Sequence, residues 1–154
     1  MFVKFFLLPD HEMSTKARMH DLAFFLCDEA ESVRVHHYDH WHGNSKAQFP
    51  HSEFDHFVNS ATAMEKIVFV SEGRGAELVL GALQRNSIEP LACVFIGAPA
   101  VSQTKKVLEK THIPSLFLKR FTGSGARFGK QVDIASQEIR AFVKSLPKRQ
   151  PFKP

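Results

Sequence analysis

Apolar positions along this chain fall into short unbroken runs that alternate with stretches of helical spacing. Phe2–Leu8 is almost wholly apolar and of strand length, as expected of a strand covered on both faces. Pro9-Asp10-His11 breaks the run. Ser14 stands where it can cap a helix in which Ala17, Leu22, Ala23, Phe25, Leu26 and Ala30 recur at helical spacing. Val33–Trp41 is rich in β-branched and aromatic residues and predicts a second strand, followed by a loop over 43–50. Phe54, Phe57, Val58 and Ala61 mark one face of a short helix. Ile67–Val70 predicts a third strand and Gly75–Arg85 a helix carrying Leu78, Leu80, Ala82 and Leu83.

The alternation continues to the end. Leu91–Ile96 predicts a fourth strand closed by Gly97-Ala98-Pro99, and Val101–Lys110 a helix with Val107 and Leu108 facing inward. Ile113–Phe121 predicts a fifth strand, with Pro114 at its start, where a missing N–H does least harm. Thr122–Gly129 contains three glycines and reads as a loop. Val132, Ala135, Ile139, Phe142, Val143 and Leu146 define a last amphipathic helix, which Pro147 ends. The expected organisation is one α/β domain over residues 1–147 with a loose basic tail over 148–154.

Strands alternating with helices, through crossovers of about 20 to 30 residues, predict a three-layer αβα fold around a mostly parallel five-stranded sheet. Right-handed crossovers favour the doubly wound order 2-1-3-4-5. Ligands in such sheets bind outside the carboxyl ends of the strands, at the switch point between strands one and three. Pro9-Asp10-His11 and Ser71-Glu72-Gly73-Arg74 should therefore lie side by side.

Val70-Ser71-Glu72-Gly73-Arg74-Gly75-Ala76 is a strand running through a glycine turn into a helix. It resembles the nucleophile elbow of the α/β-hydrolase superfamily, Gly-x-Ser-x-Gly, in which a strained turn lifts a serine above the sheet. On that pattern Ser71 takes the place of the first glycine, Glu72 that of a residue often histidine, Gly75 that of the last glycine. Phe2–Leu8 resembles the strand before the oxyanion loop, Cys93–Pro99 the strand after the elbow helix, and His112–Leu118 the strand before the catalytic acid. The resemblance implies a minimal hydrolase-like sheet, in an order that flavodoxin-like folds share. It also implies a Ser-His-acid scheme of hydrolysis.

The residues of that scheme are missing. The nucleophile position is Gly73, which has no hydroxyl. Phe121-Thr122-Gly123-Ser124-Gly125 offers no Asp or Glu for the acid. Gly125-Ala126-Arg127-Phe128-Gly129 offers arginine in place of histidine, and no histidine follows His112. The expectation is a noncatalytic, pseudoenzyme-like protein that binds a small ligand or a protein partner at the carboxyl edge, through Asp10, His11, Glu72, Gly73, Arg74, Gly97 and Arg127. The alternative is an active esterase-type hydrolase using nonstandard residues: Ser71 after a two-residue shift of frame, with Glu72, His11 and Asp10 as acid and base.

Other constellations change this picture little. Gly73-x-Gly75 lacks the third glycine and the later acidic residue of a dinucleotide fingerprint, although helix N–H groups beside Arg74 can hold an anion. Eight of nine histidines fall within the first 56 residues, densest at His36-His37-Tyr38-Asp39-His40-Trp41-His42. One strand seldom converges three zinc ligands, so neither a metal nor any other cofactor is expected, with His51 and His56 the only nearby reinforcements. Residues 1–77 carry 7 Lys/Arg against 12 Asp/Glu, and residues 78–154 carry 13 against 4. The basic end has no nucleic-acid module motif beside it, which argues for a solvated surface and against a nucleic-acid partner.

No apolar run approaches the roughly 20 residues needed to cross a bilayer, and the opening segment lacks a basic leader and cleavage site. Cys27 and Cys93, both in apolar patterns, read as core thiols in a reducing, cytoplasmic setting. The sequence leaves open a homodimer.

Overall fold

The computed structural model describes residues 3–38, 51–85, 87–97, 101–122 and 125–147. In chain order the elements are β1 (Val3–Leu8), α1 (Thr15–Leu26), β2 (Ala30–Val35), α2 (His51–Ser60), β3 (Ile67–Glu72), α3 (Gly75–Gln84), β4 (Ala92–Ile96), α4 (Val101–Thr111), β5 (Ser115–Leu118) and α5 (Gly125–Ser145). The strands form one sheet in the order β2-β1-β3-β4-β5, with every neighbouring pair parallel. Order and direction are those the sequence pattern predicts.

Two apolar clusters cover the faces of the sheet. On one, Phe5, Leu7, Val68, Val70, Val94 and Ile96 meet Met19, Leu22 and Leu26 of α1 and Val132, Ala135 and Ile139 of α5. On the other, Phe6, Leu8, Phe69 and Phe95 meet Phe54 of α2, Leu78 and Leu83 of α3, and Leu108 of α4. Alternate residues of one strand thus feed both clusters, which is why the strands read as unbroken apolar runs. Each fully buried side chain of this size contributes about 1.5–3 kcal/mol through removal from water.

Several boundaries differ from expectation. β2 starts at Ala30 and ends at Val35, short of the predicted Trp41; residues 39–50 lie outside the described residues. Ala30 opens this strand instead of closing α1, because the turn Cys27–Glu29 ends the helix. Ser14 sits at the start of α1 in helical geometry, and its side chain makes no capping bond. The Thr15 hydroxyl instead ties the preceding turn, donating to the carbonyls of Glu12 and Asp10. Cys27 is exposed, whereas Cys93 lies in the core as expected. The predicted loop up to Gly129 is helical from Gly125 onward. Among the described residues no helix is long and apolar enough to cross a membrane.

Candidate functional site at the carboxyl edge of the sheet

The register Leu8↔Ser71 between β1 and β3 brings the ends of both strands together. Pro9-Asp10-His11 therefore lies beside Glu72-Gly73-Arg74. Tyr38 pins the first of these segments from outside, its buried hydroxyl donating to the Pro9 carbonyl at 2.6 Å. The Thr15 hydroxyl holds the Asp10 carbonyl from the helix side.

Gly73 has φ +53°, in the left-handed region that disfavours any side chain. Its amide donates to the Ile96 carbonyl at 3.0 Å, tying the turn to β4. A Cβ on Gly73 would overlap the Asp10 carboxylate. Gly75 serves a different need: a Cβ there would lie 2.5 Å from the Leu8 carbonyl oxygen and 2.7 Å from that of Pro9, so only glycine lets α3 start this close to β1. Gly97 also has positive φ, and its missing Cβ makes room for Arg120, whose own Cβ would be 2.9 Å away.

Asp10 is the hub of the turn. Its Oδ1 accepts from the His11 amide at 2.7 Å and from the Arg74 amide at 3.0 Å. Arg74 sits at the start of α3, where free N–H groups and the helix dipole favour a negative charge. The cap of α3 thus comes from a residue 64 positions away, on another strand's loop. The Arg74 side chain turns outward, its Nε 3.7 Å from Glu77 Oε1.

Glu72 is almost fully enclosed, with 1% of its surface exposed. Arg18 of α1 reaches it, Nη2 lying 2.8 Å from Oε1, although neither carboxylate oxygen has an aligned hydrogen bond. Burial pushes the Glu72 carboxyl up from 4.5 to about 7; Arg18 pulls it down, Asp10 raises it, and Arg120 lowers it again. Arg18 is braced in turn by Phe128 of α5, with 6.0 Å from its guanidinium carbon to the ring centroid.

The remaining predicted residues divide. Ser71 is buried inside β3 with its hydroxyl directed to the Val94 carbonyl at 3.4 Å. His11 is half-buried beside Asp10. The side chain of Arg127 lies outside the described residues. Of the histidine run, His36 packs on Phe6 and Tyr38, while His37 faces His20 of α1, Nε2 to Nε2 at 2.8 Å. Asp39, His40, Trp41 and His42, and the side chain of His51, are not among the described residues, and His56 is exposed on α2. Among the described residues no three His, Cys, Asp or Glu side chains converge as metal ligands do.

Arg18 and Arg120 escaped the sequence reading. Arg18 lies three residues after Thr15 and four before Leu22, both buried, so its helical position is next to the stripe facing the sheet. A basic residue there, in the first turn after a carboxyl-edge loop, was the available signal. Arg120 was hidden among the basic residues of the second half.

The fold has a solved counterpart. The crystal structure of MGS-M1, an alpha/beta hydrolase enzyme from a Medee basin deep-sea metagenome library, superposes with a TM-score of 0.56 at 14% identity. The match covers 94% of this chain and 85% of that one. This chain has an α/β-hydrolase fold. No protein-family model matches it, and no functionally described protein matches it by sequence. In the α/β-hydrolase fold the oxyanion hole consists of the N–H after the nucleophile and an N–H from the loop after the strand in the place of β1. The amides of Arg74, at the start of α3, and of His11, in the loop after β1, are both turned on one oxygen of Asp10.

Proposed function

We propose that this is a noncatalytic protein of the α/β-hydrolase fold, which binds a small ligand or a protein partner at the carboxyl edge of its sheet. One observation carries the reading: the His11 and Arg74 amides, which answer in sequence position to the fold's oxyanion donors, are both taken by the protein's own Asp10, against a Gly73 that has no side chain to attack with. Oxyanion stabilisation needs donors free at the moment charge develops, and losing one donor alone costs about 10²–10³ in rate. A hydroxyl at Ser71 does not offset this, since it is buried and committed to the Val94 carbonyl. The binding surface is the rim formed by Asp10, His11, Gly73, Arg74 and Gly97, with Glu72 enclosed beneath it and Arg127 the further member that sequence position suggests.

A second reading rests on Glu72. A buried carboxyl titrating near pH 7 beside Asp10 and His11 has the protonation behaviour of a general acid or base, and keeps an esterase-type hydrolase as the alternative. The experiment separating the two is a burst assay with p-nitrophenyl acetate together with fluorophosphonate labelling. The noncatalytic reading expects no burst and no adduct. Stoichiometric labelling of Ser71, or turnover abolished by Glu72→Gln, would establish the hydrolase instead. Titration of candidate ligands followed by amide shifts tests binding: responses should concentrate at Asp10, Gly73, Arg74 and Gly97.

A further inference from the structure

The two edges of the sheet are built differently. β2, at one edge, exposes Glu31, Ser32 and Arg34, and the Glu31 carboxylate lies 4.0 Å from Lys66. Charges of this kind discourage a further strand from pairing. β5, at the other edge, is Ser115-Leu116-Phe117-Leu118 and carries no charge, and all four residues remain half-exposed. Beside it runs a groove of about 520 Å³ whose lining includes Phe117, Leu118, Lys119, Ile134 and Glu138. Ile134 of α5 is 46% exposed there.

The backbone of this edge is matched to itself. Cys93 N–H donates to the Pro114 carbonyl and Gly97 N–H to that of Leu118, so residues 114, 116 and 118 turn their polar groups toward β4. Ser115, Phe117 and, just beyond the strand, Lys119 therefore present their N–H and C=O groups outward. We propose that this edge is a homodimer interface, in which β5 pairs antiparallel with β5 of a second copy about a twofold axis at Phe117. That register opposes Phe117 to Phe117 and Ser115 to Lys119, and uses every outward group of the three residues. Moving the axis to Lys119 would set two lysines against each other, so charge disfavours that register. A twofold interface uses one patch twice, and here the apolar groove and its rim, basic at Lys119 and acidic at Glu138, supply both sides.

Sedimentation of the full chain over a range of concentrations, combined with amide hydrogen exchange, tests this. The expected result is a dimer in which the Ser115 and Phe117 amides exchange as slowly as those of Leu116 and Leu118. Ser115→Pro removes an outward N–H, along with the hydroxyl's bond to the Ile113 carbonyl at 3.1 Å, and should give a folded monomer. Ile134→Glu should weaken association at least tenfold without touching β5. A chain that stays monomeric with fast exchange at Ser115 and Phe117 would overturn the proposal, including the case where an unrelated peptide binds the edge. So would a dimer that survives both substitutions unchanged.

Discussion

Gly73 and Asp10 work as a pair: the glycine has the backbone angle and the space that let a carboxylate sit over the helix start. Gly73→Ser should therefore cost about 1–2 kcal/mol for the left-handed backbone alone, with a further loss as Asp10 is displaced from the two amides. It should not create esterase activity, because no histidine or acid stands in the matching positions. Urea unfolding and the ester assay check both halves, and a stabilised serine variant would contradict the elbow geometry. Glu72 makes a prediction of opposite kind. Its folded carboxyl holds a proton more readily than the unfolded chain does, so the stability linked to that proton is complete below about pH 4.5 and is lost as pH rises through about 7. The wild-type protein should lose stability on the order of a few kcal/mol relative to Glu72→Gln across that window. Parallel curves from pH 4.5 to 8 would show that Arg18 cancels the burial cost. At this scale the sequence placed Asp10, Glu72 and Gly73 together, but Arg18 was unreadable because its partner is set by how α1 lies on the sheet.

Elements were legible where one face is plainly apolar and less so at their ends. The start of α5 is the clearest case. Gly129 disfavours a helix interior by up to about 1 kcal/mol, and with Gly123 and Gly125 before it the pattern read as a loop. Phe128 outweighs them by packing edge-on against buried Phe121, ring centroids 5.7 Å apart, and under Arg18. Gly129 itself faces open space, with nothing within 4 Å of a Cβ built there. Gly129→Ala should accordingly stabilise the protein by about 0.5–1 kcal/mol, read as a raised urea midpoint with unchanged slope. A destabilised alanine variant would mean that α5 begins later. Toward the start of the chain, Cys27 still has helical backbone angles at the end of α1 yet is exposed, and apolar periodicity alone has no means of marking where a helical face stops.

For the whole molecule, Pro147 cannot continue α5, which closes at Ser145, so a domain built on residues 1–147 should not need residues 148–154, which lie outside the described residues. Deleting them should leave stability within roughly ±0.5 kcal/mol. Titration of the intact protein with RNA and DNA at low salt should be flat, whereas binding that falls steeply with added salt would make the basic half a nucleic-acid surface. The sequence by itself determined the alternation of strands and helices, and with it the parallel 2-1-3-4-5 sheet. Period, crossover length and handedness are local properties, and they leave few ways to cover both faces. It also determined that Gly73, with no side chain, stands in the turn between β3 and α3. Only the tertiary structure decided what fills the space instead. The Asp10 carboxylate over α3, Arg18 against Glu72 and Arg120 across Gly97 join residues far apart in the chain, and contacts of that range depend on how layers settle against one another.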